Sequence, residues 1–340
     1  MTERPLADVS ALFQIYAHGV AWHCVCAVTR LGIPDLLADG PLQVAKLAAA
    51  AGTDADALRR VLRLLAGHGI VRLGTADDPD VVALADGGRP LLTGHPLSVR
   101  ATFATLGISD VAHRLTDVLR TGRAAAPEVL GAGFWEYLAA RPSAQEVFAD
   151  AMVEQAHFLT LPCVPLLDWP GEGTVVDVGG GAGVLLAEVL AWAPDARGVL
   201  VDRPAVFDRA GRYLAERGVA DRAAFVPGDL FEPPPAGELY LLARVLHNWA
   251  DEPAATVLTA VATSAPPGAC LRIFEDPLPE GGGAAGDWSD VSMLALYPGA
   301  RERTEREYRD LLAATGWRFE RTVAGPPGMS VLEATRRDDR

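Results

Sequence analysis

A glycine-rich turn near the middle of the chain has the composition of a small-molecule binding loop. In the segment VVDVGGGAGVLLAEVL, residues 175–190, a short apolar run ends at Asp177 and a helical pattern begins at Val184. The spacing G-x-G-x-G is formed by Gly179, Gly181 and Gly183. The dinucleotide fingerprint needs its third glycine where this chain has Val184, and the Gly-Lys-Ser/Thr of a phosphate loop is absent. The turn therefore favours a small zwitterion or an adenosyl group, bound by backbone amides at a helix N-terminus.

Acidic residues end the next two apolar segments. Asp202 ends the strand pattern in GVLVDRP, and Asp229 follows FVPG with Leu230 and Phe231 beside it. An acid at the tip of the neighbouring strand can accept both ribose hydroxyls of an adenosyl ligand. A carboxylate between apolar side chains could bind the adenine amino group while Leu230 and Phe231 enclose the ring. Asp177, Asp202 and Asp229 together predict an adenosyl site.

His247 is the candidate for proton transfer. It follows the apolar segment LYLLARVL by only a residue or two, and ligands of open α/β sheets bind beyond the carboxyl ends of the strands. A phenol with a pKa near 10 is a poor nucleophile at pH 7, and an imidazole with a pKa near 6.5 can accept its proton during attack. A single histidine is more often structural, so the position alone leaves both interpretations open.

The elements around these residues predict an α/β domain. From about residue 166, apolar strands alternate with helical stretches, which indicates a doubly wound, mostly parallel sheet. The fourth and fifth strands lie in GELYLLARVLHNW and CLRIFEDP, and two final strands lie near RFERTVAG and MSVLEATRR. Residues 96–165 have a helical pattern and contain an amphipathic region with Phe148 and Met152, whose simplest interpretation is core or dimer packing.

The first 95 residues predict a winged-helix unit. Two short helices occur in PLQVAKLAAAAG and TDADALRRVLRLLAGHG, the second capped by Thr53 or Asp54, and a β-hairpin follows in IVRLG and VVALAD. Such a unit could bind DNA through the arginines of its second helix, which are Arg59, Arg60 and Arg63. A net charge of −14 and a pI near 4.9 oppose binding to nucleic acid or to an anionic membrane.

Composition favours a cytoplasmic protein of roughly two domains. The four cysteines have neither metal-ligand spacing nor the pattern of a disulfide framework, and Cys24 and Cys26 are expected to be buried thiols. The polar, acidic start is unlike a targeting signal, and no apolar run is expected to reach the roughly 18 residues of a membrane span.

The order and spacing of several segments identify a resemblance that covers nearly the whole chain. VVDVGGGAG, LVDRP, GDLFEPP, RVLHNWADE, APPGACLRIFED and GARERTEREYRDLLAATGW resemble S-adenosylmethionine-dependent O-methyltransferases of the plant caffeate/flavonoid type and their bacterial natural-product relatives. The resemblance implies three parts: a winged-helix dimerisation domain at 1–95, a helical linker and substrate-pocket region at 96–165, and a Rossmann-like class I methyltransferase domain at 166–340. It also implies a homodimer, S-adenosyl-L-methionine as cofactor and S-adenosyl-L-homocysteine as product.

Site roles follow from the same resemblance. His247 matches the general base of the family, and the acids that flank it there match Glu275 and Glu302. The resemblance places Arg244 and Trp249 near the cofactor, with Asp177, Gly179, Gly181, Asp202, Asp229, Leu230 and Phe231. It places Phe148, Met152 and Asn248 near an aromatic acceptor with a phenolic or enolic hydroxyl. No metal is required by this scheme.

Two features keep an alternative open. Asn248 stands where the family usually has Asp, so a hydrogen bond from this side chain to the cofactor can survive while the charge of the Asp does not. Some bacterial relatives bind the same cofactor without methylating and act as hydroxylases or cyclisation catalysts, and several of these lack the histidine. The presence of His247 favours methyl transfer over that alternative.

Overall fold

The computed structural model describes residues 4–74, 78–281 and 288–338, with side chains from residue 9 onward at the N-terminal end. The chain divides into two compact units. One comprises the residues up to 106 together with 146–154, and the other comprises 107–145 and 155 onward. The three-part division with boundaries near 95 and 165 stays a prediction.

The N-terminal unit has the helices and hairpin that the sequence predicts. A three-stranded antiparallel sheet has the order β1-β3-β2, and Leu47, Leu62 and Val82 form part of a fully buried core. Asp54 caps the second predicted helix by accepting a 2.8 Å hydrogen bond from the Ala57 amide. The elements are α1 (Arg4–Arg30), α2 (Ile33–Leu36), β1 (Leu42–Gln43), α3 (Val44–Ala51), α4 (Ala55–Gly67), β2 (Val71–Leu73), β3 (Val81–Leu84) and α5 (Arg100–Ala104). The tip of the predicted hairpin, at 75–77, lies outside the described residues.

The first helix contains a longer apolar segment than predicted from the sequence, and much of it is exposed. Its segment Val9–Arg30 is long and apolar enough to cross a membrane by length and composition, and only 17% of its most apolar window is buried. The exposed fractions of Leu12, Phe13, Ile15 and Tyr16 lie between 68% and 71%. The expectation that no apolar run reaches membrane-spanning length was therefore wrong, because a single polar residue such as His23 does not lower the mean hydropathy of this mostly apolar segment enough. A large exposed apolar surface of this kind also marks a protein–protein interface.

The second unit begins with short helices and continues as a seven-stranded sheet. The order β6-β5-β4-β7-β8-β10-β9 is parallel except for β10, which is antiparallel to both neighbours. The helices are α6 (Ile108–Val111), α7 (Leu115–Thr121), α8 (Ala126–Leu130), α9 (Phe134–Ala139), α10 (Pro142–Phe158), α11 (Val184–Trp192), α12 (Phe207–Glu216), α13 (Asp251–Ser264), α14 (Trp288–Leu296) and α15 (Glu305–Ala314). The strands are β4 (Glu172–Val178), β5 (Asp195–Asp202), β6 (Ala223–Pro227), β7 (Leu239–Ala243), β8 (Cys270–Glu275), β9 (Trp317–Ala324) and β10 (Ser330–Arg336).

Apolar side chains cover both faces of this sheet. Val176 belongs to one buried cluster, with residues of α13 and α15, whereas Val175 belongs to another, with residues of α11 and α12. This alternation is the pattern of a strand buried on both faces. The strand order reverses between β4 and β7, and in open α/β sheets ligands bind beyond the carboxyl ends of the strands at such a point.

The cysteines meet the sequence expectation only in part. Cys26 is buried as predicted, whereas Cys24, predicted to be buried as well, is only half-buried.

Candidate active site

The glycine turn lies between β4 and α11, at the carboxyl end of the sheet. Gly179 and Gly181 have φ angles of 74° and 55°, in the left-handed region that residues with a Cβ rarely adopt. A Cβ on Gly179 would lie 3.0 Å from Leu230 and 3.2 Å from Val245, whereas a Cβ on Gly181 would meet nothing within 4 Å. The turn is thus packed on one side and open above Gly181, where a ligand could approach the backbone.

Asp177 lies directly beneath the turn. It is fully buried, and a Cβ on Gly180 would come within 2.5 Å of its carboxylate. Neither carboxylate oxygen meets the geometry of a hydrogen bond within the described part of the chain. Burial, with the charge of Asp202 adding to it and the Leu186 amide opposing it, raises the pKa of Asp177 to about 7. Asp177 is therefore an acid at the foot of the turn whose ionisation is opposed by its burial.

Asp202 and Asp229 hold the neighbouring loops. Asp202 Oδ2 accepts a 2.9 Å hydrogen bond from the Gly181 amide, and its Oδ1 accepts one of 2.7 Å from the Arg203 amide. Burial raises the pKa of Asp202, and these hydrogen bonds oppose that effect. Asp229 is exposed and accepts a 3.0 Å hydrogen bond from the Phe231 amide. These three acids and the turn line one edge of the sheet, as the sequence predicts.

Phe231 and Trp249 form an aromatic pair at the same edge. Their ring centroids lie 4.9 Å apart with an interplanar angle of 80°, which is an edge-to-face contact. Both side chains are half-buried, and both pack against the cluster that includes Leu246. Trp249 thus contacts Phe231, one of the residues predicted to enclose the adenine.

His247 lies at the centre of a buried cluster of ionisable groups. A 3₁₀ turn at Leu246–Asn248 follows β7, and His247 is only 3% exposed. Its Nδ1 lies 2.7 Å from Glu302 Oε1 and 3.4 Å from Glu275 Oε2. The structure therefore brings together the histidine and the two acids that the sequence assigned to it.

The two acids hold His247 in different ways. Glu275 Oε1 accepts hydrogen bonds from the amides of Val245, Leu246 and His247 at 3.1, 2.9 and 3.3 Å, so it binds the backbone of the turn. Burial raises the pKa of Glu275, although the nearby His247 opposes the effect. Burial also acts to raise the pKa of Glu302, but hydrogen bonds from His247 and Ser289 outweigh it and hold that pKa below its ordinary value. Glu302 is thus the ionised partner of the ring.

A strained residue precedes the histidine. Arg244 has a φ of 54°, and it is the one non-glycine residue with a positive φ among those the structure describes. The Asn248 side-chain amide donates a 3.0 Å hydrogen bond to the Arg244 carbonyl, and the Arg244 amide donates one of 2.9 Å to Phe274. Strained backbone of this kind concentrates at functional sites. Asn248, predicted as a substrate-binding residue, uses its amide nitrogen to hold Arg244, which lies close enough to lower the pKa of Glu302.

Several residues near the site were not predicted from the sequence. Ser289 donates a 2.7 Å hydrogen bond to Glu302 Oε1, and Asp290 accepts one of 2.9 Å from the Glu302 amide. Tyr297 is almost fully buried and stacks on Trp135, with 5.4 Å between centroids and an interplanar angle of 23°. The available signal was the position of Ser289 and Asp290 on α14, and of Tyr297 directly after it, shortly before the segment GARERT that carries Glu302.

Phe148 and Met152 lie on α10, within the part of that helix that belongs to the N-terminal unit. Both side chains are half-buried. Their predicted contact with the acceptor stays a prediction.

Comparison with known proteins assigns the chain to a family. A family model for the O-methyltransferase domain matches residues 112–318, and one for the O-methyltransferase dimerisation domain matches residues 14–94. The phenazine O-methyltransferase PhzM of Lysobacter antibioticus is 35% identical over 98% of this chain and 99% of its own length. The chain therefore belongs to the S-adenosylmethionine-dependent O-methyltransferases, with a class I methyltransferase fold and an N-terminal dimerisation domain.

Solved structures agree with this assignment. The LaPhzM crystal structure matches with a TM-score of 0.89 and 34% identity, and covers 96% of this chain and 99% of that one. An O-methyltransferase from neocarzinostatin biosynthesis, in complex with S-adenosylmethionine and 2-hydroxy-5-methyl naphthoic acid, matches with a TM-score of 0.80 and 30% identity over 94% of this chain and 96% of that one.

The aclacinomycin 10-hydroxylase RdmB of Streptomyces purpurascens is also similar, at 34% identity over 96% of this chain and 91% of that protein.

Proposed function

We propose that this protein transfers the methyl group of S-adenosyl-L-methionine to a phenolic or enolic hydroxyl of an aromatic natural product, by in-line attack with His247 as general base. The observation that carries the proposal is the 2.7 Å contact between His247 Nδ1 and Glu302 Oε1. An ionised carboxylate accepts a hydrogen bond and cannot donate one, so the proton of the neutral ring lies on Nδ1. The lone pair of Nε2 is then available to a substrate hydroxyl.

The residues of the sheet edge fit the cofactor. The open space above Gly181 admits a ligand against the backbone, and Asp202 lies beside it with a carboxylate suited to ribose hydroxyls. Leu230, Phe231 and Trp249 offer apolar and aromatic surface for the adenine ring, with Asp229 at its edge. Asp177 supports the turn from below, Gly179 allows the packing of Leu230, and Arg244 supplies a positive charge. When bound, the cofactor supplies an electrophilic methyl group on a sulfonium.

Side chains of the protein accept the proton that the substrate hydroxyl loses. As the acceptor oxygen attacks, its O–H bond breaks and the proton passes to His247 Nε2. The imidazolium that forms is stabilised by the carboxylate of Glu302 on its other nitrogen. Glu275 keeps the ring in place through the backbone of the turn, because it binds three successive amides. The cluster is nearly inaccessible to solvent, which strengthens these interactions.

The acceptor is proposed to be aromatic. The neocarzinostatin enzyme was solved with a naphthoic acid, and PhzM is named for a phenazine, so both resemblances support a planar acceptor. Phe148, Met152 and Asn248 are proposed to contribute to its pocket. Flexible Met side chains pack well against rings.

The protein is proposed to act as a homodimer, assembled through the N-terminal domain. The matched dimerisation domain spans 14–94 and includes the exposed Ile15 and Tyr16 of α1, with the exposed Leu12 and Phe13 directly before it. Burial of that surface in an interface accounts for a helix that would otherwise leave Leu12, Phe13, Ile15 and Tyr16 in water. The cytoplasmic location stays a prediction, as does the absence of affinity for membranes and nucleic acid.

A second function is a reaction that uses the cofactor without methyl transfer. The similarity to aclacinomycin 10-hydroxylase supports it, because that relative matches 96% of this chain. The cluster of His247, Glu275 and Glu302 favours methyl transfer, because a base held by a carboxylate is suited to remove the proton of a substrate hydroxyl.

A labelled-methyl assay separates the two functions. The protein is incubated with methyl-labelled S-adenosylmethionine and a panel of phenolic and quinonoid acceptors, and label is sought on the product. His247→Ala should lower turnover by roughly 10²- to 10⁴-fold with cofactor binding intact. Product formed without label would support the second function, and unchanged turnover in His247→Ala would exclude the general-base role.

A further inference from the structure

We infer that Arg303 is a positioning residue that holds the His247 turn in its reactive place, an inference that rests on the proposed function. Arg303 follows Glu302 in the chain and is only 1% exposed. An arginine is almost never buried this deeply unless its charge and its donors are paired. The identity of its partners therefore indicates what the residue does.

The partners of Arg303 lie on both sides of the histidine. Its Nη1 donates a 3.0 Å hydrogen bond to the Leu246 carbonyl, and its Nη2 donates one of 2.8 Å to the Trp249 carbonyl. Its Nε donates a 2.9 Å hydrogen bond to Asp251 Oδ1, which balances the charge. The planar guanidinium thus spans the residues from 246 to 251, and a lysine ammonium has no such fixed fork.

The two residues before Arg303 in the chain also bind the turn. The Arg301 amide donates a 3.0 Å hydrogen bond to the His247 carbonyl, and Glu302 binds the ring at Nδ1. Residues 301–303 therefore hold the carbonyl side of the turn and the ring, whereas Glu275 holds its amide side. Backbone groups in a buried turn need such partners, because unpaired ones are costly.

The consequence for catalysis is geometric. The turn connects β7, which is fixed in the sheet, to α13, which begins at Asp251. With Arg303 in place, the ring of His247 is restrained from both ends of the turn as well as through Nδ1. A displacement of about 1 Å at a reacting group can cost about 10²-fold in rate. Most of the proposed cofactor contacts follow β4, β5 and β6 and do not involve Arg303, which binds the backbone carbonyl of Trp249 rather than its indole ring.

The test compares Arg303→Lys with the matched control Arg309→Lys. Arg309 lies on α15, is 54% exposed on its side chain and pairs with Glu305, so the same substitution is made away from the site. Arg303→Lys should lower kcat by about 10- to 100-fold, while the dissociation constant for S-adenosylmethionine changes by less than about threefold. Backbone hydrogen exchange in a peptide spanning 245–250 should become faster in Arg303→Lys and stay unchanged in Arg309→Lys.

A second variant keeps the inference testable if Arg303→Lys does not fold. Asp251→Asn retains the guanidinium and removes its carboxylate partner, together with a longer 3.9 Å pair to Arg301, and it should lower kcat by about three- to tenfold with the same faster exchange. A folded Arg303→Lys, or a folded Asp251→Asn where Arg303→Lys is lost, that matches the wild type in kcat and in exchange would overturn the inference. Wild-type protein that transfers no label would instead count against the proposed function, and the exchange measurement would still decide the role of Arg303.

Discussion

Substitution of Glu302 by Gln isolates the charge beside the histidine. The replacement keeps the size of the side chain and an oxygen that can accept from Nδ1, but removes the negative charge that lies 2.7 Å from the ring. Two unit charges with centres about 4 Å apart interact by about 4 kcal/mol at an effective dielectric constant of about 20. If about half of the proton has reached Nε2 in the transition state, the loss is about 2 kcal/mol, or about 30-fold in kcat.

The assay is the labelled-methyl reaction at saturating cofactor, with Glu305→Gln as control. Glu305 lies three residues along the chain and forms a partly exposed pair with Arg309, so it shares the substitution but not the contact with His247. Because Glu302 acts through the ring, the double variant with His247→Ala should be no more than about twofold slower than His247→Ala alone.

Two results would refute this reasoning. A folded Glu302→Gln with wild-type kcat would show that the carboxylate does not assist the base. Fully additive losses in the double variant would show that Glu302 acts through some other group. Unchanged cofactor binding by calorimetry is the condition for either conclusion.

Four further predictions follow from the structure. Burial raises the pKa of Asp177 to about 7, so ionisation of this carboxyl lowers the free energy of unfolding of the protein. This loss of stability is absent below about pH 4, grows as the pH rises and is complete above about pH 7. Asp177→Asn should therefore gain roughly 2–3 kcal/mol in free energy of unfolding relative to wild type between pH 5 and pH 8, measured by denaturant titration, and a pH-independent difference would contradict the shift. Asp202→Asn should weaken S-adenosylmethionine binding by about 10- to 100-fold in calorimetry, because a charged acceptor is lost; an unchanged affinity would remove Asp202 from the cofactor site. The double substitution Leu12→Glu and Ile15→Glu should yield a monomer by light scattering, whereas Leu119→Glu, at a position 79% exposed in the other unit, should leave the dimer intact; a dimer in both would exclude the α1 surface. Treatment with a chelator should leave methyl transfer unchanged, although the ligand atoms of the His247 cluster lie within 4.8 Å of one another; lost activity that zinc restores would indicate a metal there instead.

The parts of the site that follow strands in the sequence were predictable from local pattern. The apolar run before Asp177, the glycine spacing after it and the acids at 202 and 229 each lie within a few residues of a strand end. Parallel strands place their carboxyl ends at one edge of the sheet, so these residues converge whatever the detailed packing. The winged-helix unit was also predictable from local pattern, because helix caps and turns are encoded by residues close together in the chain.

The exposure of α1 and the contacts around Glu302 and Arg303 were not predictable from local pattern. The sequence pattern of α1 predicts a helix but not which face the fold leaves uncovered. Ser289 and Asp290 lie 13 and 12 residues before Glu302, across a loop, and Arg303 binds residues more than 50 positions away. Such contacts depend on how separate elements pack, and no local pattern encodes that distance.

The sequence by itself determined the order of the elements, the glycine turn, the acids at the strand ends and, through the family resemblance, the choice of His247 with Glu275 and Glu302. Only the tertiary structure decided how the two acids divide their roles. Glu275 binds the amides of the turn, whereas Glu302 binds the ring, and this difference arises because β8 ends beside β7 while the segment at 301–303 approaches the turn from the carbonyl side. Electrostatic and hydrogen-bond effects depend on distances of a few ångströms, and those distances are set by packing rather than by the order of residues.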